Sequence, residues 1–314
     1  MTLVLLCSGQ GGQHAGMFAL TGDAPEAASL FAHATSLLGG KDPRELVRTE
    51  TEEFLHRDRV GQILCALQAL AASAAISRAL PDQRIIAGYS VGEVAAWGVA
   101  GFVDRITALD LVARRAEVMD DASPRGDGLL FVRGLSRRTI DGLCEQHDVA
   151  VAIVNPGEAF VVGGNRTALK VFAEAARAMD AVRVVGIEVE VASHTRRLAP
   201  ASDAFCGILC QLRANFELKP RIRLLSGIDG APVLTLDAGL NKLAAQISQT
   251  VQWASCLENC IEAGATVLLE LGPGSALSRM VADSYSDVTT RSLDDFRKLD
   301  GVCSWLAAHD SERP

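Results

Sequence analysis

Ser90 lies in Gly88-Tyr89-Ser90-Val91-Gly92, at the seam between the apolar run of residues 84–88 and an Ala-rich run that begins at Val91. A serine with glycines two residues to either side, at a strand-to-helix turn, is the pattern of a nucleophile elbow. Glycines there let the chain turn sharply and hold the hydroxyl exposed. Backbone N–H groups at the N-terminus of the following helix then point outward and can stabilise a negative oxygen. The chemistry such an arrangement supports is acyl transfer through a serine ester. The same residues also fit a helix capping box, Ser90-x-x-Glu93 ahead of Val94, Ala95 and Ala96, in which the serine only caps a helix.

Two further residues bear on that choice. Residues 105–121 have helical periodicity, and their adjacent arginines fall on different faces. Arg114 has Asp110 four residues before it and Glu117 three after, a solvated charge face. Arg115 shares its face with Leu111, Val118 and Met119. A guanidinium on an apolar face needs an anion, supplied either by an internal acid or by a ligand carboxylate, unless it snorkels to the surface. His194 follows the alternating Ile187, Val189 and Val191 in Ala192-Ser193-His194, where a strand is expected to run out. It is either a base for Ser90 or a structural histidine.

The elements that must position these residues can be read in order. A strand over residues 3–6 leads into the loop Cys7-Ser8-Gly9-Gln10-Gly11-Gly12-Gln13, which lacks the Lys-Ser/Thr pair of a phosphate loop. Helices are expected over residues 24–38 and 59–80, and a strand over 84–88. After the breaker cluster Ser123 to Gly128, strand 129–134, helix 137–146, strands 149–155 and 159–163, helix 166–179 and strand 182–190 give the β-α-β-β-α-β order of a ferredoxin-like unit. Later strands are expected over 223–226 and 266–271, the last feeding Gly272-Pro273-Gly274. The fold class is α/β: a hydrolase-like large domain with a mostly parallel sheet and an inserted ferredoxin-like small subdomain. The boundaries are 1–125 and 191–314 for the two parts of the large subdomain and 126–190 for the small one.

Composition limits the partners. The 314 residues are 49% hydrophobic, enough for a large core. A net charge of −8 without a long Lys/Arg tract argues against nucleic acid. No apolar run could span a bilayer and the N-terminus lacks a signal pattern, so no membrane association and a cytoplasmic address are expected. The eight cysteines are then reduced thiols. Cys206/Cys210 and Cys256/Cys260 could together surround zinc, but their helical spacing among apolar neighbours also fits small buried thiols, and no metal is expected.

Taken together, a GQGGQ loop after the first strand, a GYSVGE elbow, an arginine on the next long helix, a strand ending in SH, a VQW element and an ELGPG turn resemble the malonyl-CoA:acyl carrier protein transacylase family over nearly the whole chain. The resemblance implies Ser90 as nucleophile, His194 as general base and Arg115 as the clamp for the malonyl carboxylate. It implies an oxyanion hole from the N–H groups of Gln10 and Val91, and a main-chain carbonyl at Gln252 orienting His194. No permanently bound cofactor is implied: malonyl-CoA is the substrate and a phosphopantetheine-type thiol on an acyl carrier protein the acceptor. Arg196 and Arg197 are candidates for a basic dock on an acidic carrier, or else a solvated helix face. The chain departs from the family at Ser8, at Tyr89 and Val91, and at Gln249-Thr250, which resembles the transacylase subunit of malonate decarboxylase. The expectation is therefore that it primes that enzyme's carrier subunit. The alternatives are a general malonyl transacylase of fatty-acid or polyketide synthesis, or a serine thioesterase.

Overall fold

The computed structural model describes residues 2–310. Its strands are β1 (Leu3–Cys7), β2 (Arg84–Gly88), β3 (Asp127–Arg133), β4 (Ala150–Asn155), β5 (Ala159–Asn165), β6 (Arg183–Ile187), β7 (Ile222–Leu224), β8 (Val251–Gln252), β9 (Val267–Glu270) and β10 (Thr289–Ser292). They form two sheets. The first has the order β10-β9-β1-β2-β7 and is parallel throughout. Central β1 is buried at every position, which is why Leu3 to Cys7 reads as a continuous apolar run without alternation: helices cover both faces. The helix Asp58–Ala75 is buried almost all round from Gly61 to Ala74, so its sequence lacks a polar face.

The second sheet has the order β6-β3-β5-β4-β8. Its first four strands, with helices Arg137–His147 and Arg166–Ala178, follow the β-α-β-β-α-β order and enclose a separate core that includes Val132, Ile140, Phe160, Val162 and Phe172. The fifth strand comes from elsewhere. Val251 and Gln252 pair in parallel with Ile153 and Val154, so the chain of the large subdomain adds an edge to the small sheet.

Three expectations need correction. The strand expected over 182–190 ends at Ile187, and His194 is reached through a turn rather than at a strand end. The alternation of Ile187, Val189 and Val191 outlasts the strand because Val189 and Val191 are buried in the main core although the pairing with β3 stops at Ile187. Of the cysteines, Cys256 and Cys260 are buried as expected from their apolar neighbours, whereas Cys206 is half-buried and Cys210 exposed; all eight are free. Arg197 is not a free docking group. Its Nε and Nη2 bond the two carboxylate oxygens of Asp127 at 2.6 and 2.8 Å. No helix among the described residues is long and apolar enough to cross a membrane.

The Asp127 side chain is 0% exposed and belongs to β3, while Arg197 lies in the turn after His194 that leads into the helix Ala199–Gln211, so this bidentate pair ties the second sheet to that segment. Removing the arginine leaves a buried carboxylate without its partner. Arg197→Ala is expected to lower the unfolding free energy in urea by about 1–3 kcal/mol. A change within about 0.5 kcal/mol, the range of an ordinary surface substitution, contradicts this role.

Candidate active site

At the end of β2 the chain turns directly into the helix Val91–Val99. A Cβ on Gly92 would sit 2.1 Å from the Cys7 carbonyl oxygen, and one on Gly88 2.2 Å from the Gly92 carbonyl, so both glycines are required by close backbone approach. Between them Ser90 has φ 56° and ψ −122°, a strained conformation for a residue with a side chain. That strain aims its hydroxyl out of the turn. Ser90 Oγ lies 2.8 Å from His194 Nε2. The helix cap alternative fails at both ends: Ser90 makes no side-chain cap bond, and the Glu93 carboxylate, instead of reaching back to Ser90 N–H, accepts from Gly227 N at 3.0 Å and from Gln246 Nε2 at 2.5 Å. Glu93 is therefore not the structural cap its spacing suggests, because the helix start is buried against the Gly227 turn and the carboxylate needs donors there.

His194 is 1% exposed and has φ 63°, with its own N–H donated to the Ile247 carbonyl at 2.8 Å. Its Nδ1 is 2.5 Å from the main-chain oxygen of Gln246. An N–H at Nδ1 leaves Nε2 as the acceptor facing Ser90. The expectation that Gln252 supplies this carbonyl is incorrect. Gln252 is taken up in the pairing of β8 with β4, and its N–H is donated to Gly227. Gln246 stands immediately after the helix Leu236–Ala245, where the last carbonyls have no helical N–H partner and carry the negative end of the helix dipole. A carbonyl role leaves no mark on side-chain identity. The signal that was available is one amide amid Leu243, Ala244, Ala245 and Ile247.

Arg115 is 1% exposed. Nη1 donates to Gln62 Oε1 at 2.6 Å and Nη2 to Gln246 Oε1 at 3.3 Å, while Nε is buried without a hydrogen-bond partner. Among the described residues its side-chain hydrogen bonds go to these two amides and to no carboxylate. Asp58 stands one amide away, accepting from Gln62 Nε2 at 2.7 Å, and Glu93 stands one amide away on the Gln246 side. Burial holds the guanidinium down to about 10 and pushes both acids up to about 7. A buried cation with acceptors on two sides and an open Nε is suited to an anionic ligand. Arg114, by contrast, is exposed as read from the sequence, though Glu117 pairs with Arg59.

The loop after β1 is pinned to the turn after β9. Ser8 Oγ donates to Glu270 Oε1 at 2.8 Å, and a Cβ on Gly12 would meet the Pro273 carbonyl at 2.5 Å. This gives the ELGPG turn its part: Glu270 also accepts from Leu277 N and Ser278 N. Gln10 lies on that loop, with its side chain donating to the Asp58 carbonyl at 3.3 Å. Val91 is the first residue of its helix, where an N–H has no helical acceptor. Tyr89 is half-buried, edge-on to Trp253 with ring centroids 5.3 Å apart. A cavity of about 950 Å³, lined from both subdomains, opens at His194, with Arg137, exposed Arg196 and Arg197 on its walls.

The family model for the acyl transferase domain matches residues 4–298. The malonyl CoA-acyl carrier protein transacylase of Mycobacterium tuberculosis is 31% identical over 306 residues, covering 96% of this chain and 99% of that one. A crystal structure of the transacylase from the same organism superposes with a TM-score of 0.86 over 96% of this chain and all of that chain, at 31% identity. A type II polyketide synthase acyl carrier protein in complex with its malonyl-transacylase gives a TM-score of 0.87 at 26% identity, covering 97% of this chain and 99% of that one. The α/β fold with its mostly parallel main sheet is common to them.

Burial, and then the nearby charge of Arg115, push the His194 imidazole down to about 3, against the smaller opposing effect of the Gln246 carbonyl. The neutral, proton-accepting form therefore persists well below the ordinary histidine value of about 6.5. In NMR spectra of the ligand-free protein, the His194 ring signals are expected to remain those of neutral imidazole from about pH 8 to 5. A titration centred near 6.5 contradicts this burial.

Proposed function

The chain belongs to the acyl transferase domain family, and on that footing we propose that it moves malonyl from malonyl-CoA to the thiol of an acyl carrier protein through a malonyl ester on Ser90. The observation that carries this reading is the conjunction, around Gln246, of a serine 2.8 Å from a neutral imidazole and a buried arginine without a carboxylate partner.

The cycle has two matched halves. His194 Nε2 takes the Ser90 proton as Oγ attacks the thioester carbonyl, and the N–H groups of Gln10 and Val91 receive the tetrahedral oxyanion. The tetrahedral species collapses, the C–S bond breaks, and His194 returns the proton to the departing coenzyme A thiolate. A weakly basic imidazole gives that proton up readily. The carrier thiol then loses its proton to His194, attacks the Ser90 ester and leaves with malonyl, restoring the serine. Arg115 holds the distal carboxylate with charge-assisted hydrogen bonds throughout. No bound cofactor enters these steps.

A thioesterase reading fits less well, because the base is held by a neutral carbonyl rather than the acid of a hydrolase triad, and because a buried arginine without a carboxylate partner is linked to Ser90 through the Gln246 side chain. On the pathway, the relatives favour general malonyl transfer in fatty-acid or polyketide synthesis over priming of malonate decarboxylase. For the latter only the departures at Ser8, Tyr89, Val91 and Gln249-Thr250 speak. Arg196, exposed at the mouth of the cleft, is the basic group offered to an acidic carrier.

Mixing the protein with malonyl-CoA and a phosphopantetheine-bearing carrier is expected to give malonyl-carrier faster than free malonate, and faster than with a carrier bearing a phosphoribosyl-dephospho-coenzyme A group. Hydrolysis outrunning transfer favours the thioesterase, and acceptance of the second carrier alone favours the decarboxylase role. Arg115→Ala is expected to cost malonyl loading on the order of 2–4 kcal/mol, roughly 30- to 700-fold, relative to acetyl loading. Equal losses for the two acyl groups make Arg115 a packing residue.

A further inference from the structure

Gln246 is bonded through every polar group of its side chain. Nε2 donates to the Ser90 carbonyl at 3.1 Å and to Glu93 Oε2 at 2.5 Å, while Oε1 accepts from Arg115 Nη2. An amide has a donating and an accepting side, and a guanidinium only donates. If the Gln246 amide turned over, its NH₂ would face the guanidinium and its oxygen would face both Glu93 and the Ser90 carbonyl, leaving three repelling contacts among buried groups. The Glu93 oxygen that meets Gln246 also accepts from the Gly227 N–H, so it presents a lone pair to the amide and disfavours that arrangement. Glu93 itself is 1% exposed, and its Oε2 is tied to the Gly227 N–H, so it cannot follow a turned amide.

We propose that Glu93 is a positioning residue for the acyl carboxylate: by fixing which way the Gln246 side chain faces, it keeps an acceptor on Arg115 and holds the guanidinium where the carboxylate must bind. The inference rests on the transfer reading above only for the identity of that carboxylate. It separates two jobs of one residue. The main-chain carbonyl of Gln246 serves His194, whereas its side chain, set by Glu93, serves Arg115. Loss of Glu93 therefore weakens recognition of a carboxylated acyl group far more than it weakens the Ser90–His194 pair.

The test uses a neutral fluorophosphonate, which reacts with Ser90 without any acyl carboxylate, and asks how well free malonate or acetate protects against it. In the wild-type protein malonate is expected to protect at lower concentration than acetate. Glu93→Met keeps the size of the side chain and removes its acceptor. It is expected to stay folded by circular dichroism, to be phosphonylated within about threefold of the wild-type rate, and to need roughly tenfold or more malonate for the same protection, the cost of one buried hydrogen bond to a charged group. Glu93→Gln retains an oxygen that can accept from both Gly227 and Gln246 and is expected to restore protection to within about threefold.

Unchanged malonate protection in folded Glu93→Met overturns the proposal. So does equal loss in the Gln and Met variants, which makes charge or packing the cause, and so does equal protection of the wild type by malonate and acetate. Should Glu93→Met fail to fold, Gln246→Met removes the amide but keeps the carbonyl used by His194. Loss of malonate protection there supports the proposal, and full protection overturns it. A wild-type protein that is phosphonylated at Ser90 yet transfers no malonyl to a carrier counts against the proposed function alone, since the comparison among these variants reads the same.

Discussion

A neutral main-chain carbonyl at the end of the helix Leu236–Ala245 holds the His194 imidazole, and the character of the site follows from there being no carboxylate in that place. A charged acid behind the base would strengthen it, but would also be an anion in the interior close to Arg115, where it would compete for the guanidinium. With a carbonyl instead, the base stays weak and neutral, and Arg115 is left without a carboxylate partner, bonded only to the amides of Gln62 and Gln246. The two buried acids nearby, Asp58 and Glu93, are each held one amide away from it by Gln62 and Gln246. The arginine is solvated by amide oxygens, which stabilise its charge without cancelling it.

Arg115 and His194 also lie within electrostatic reach of each other. The charge of Arg115 is one of the causes that lower His194. The rest of the fold maintains that geometry, with the β1 loop pinned by Glu270, the elbow fixed by Gly88 and Gly92, and the subdomains joined by Asp127–Arg197 and by β8.

What could be read from the sequence was what local rules determine. The buried strand Leu3–Cys7, the elbow, the helix carrying Arg115 on its apolar face and the β-α-β-β-α-β order all follow from periodicity and turn chemistry within short windows. The two-residue β8 and the edge strand β10 went unread because such short segments carry almost no pattern. Gln246 was missed for a different reason: a main-chain carbonyl is present at every position, and only packing determines which one reaches His194. Glu93 satisfied a helix-cap spacing that the folded chain does not use, since the donors that claim it, Gly227 and Gln246, lie more than a hundred residues away. Ser90 and His194 are similarly distant in sequence, and their pairing was legible through family resemblance rather than from spacing.

The claim on which the account stands is that Ser90 carries the acyl group. Mass spectrometry of the protein rapidly mixed with malonyl-CoA, followed by peptide mapping, reads this directly. The account predicts a mass gain of one malonyl group, located on the peptide containing Ser90 and discharged when a carrier thiol is added. A malonyl group on any other residue, or release of coenzyme A with no acyl-protein formed at any time, contradicts it.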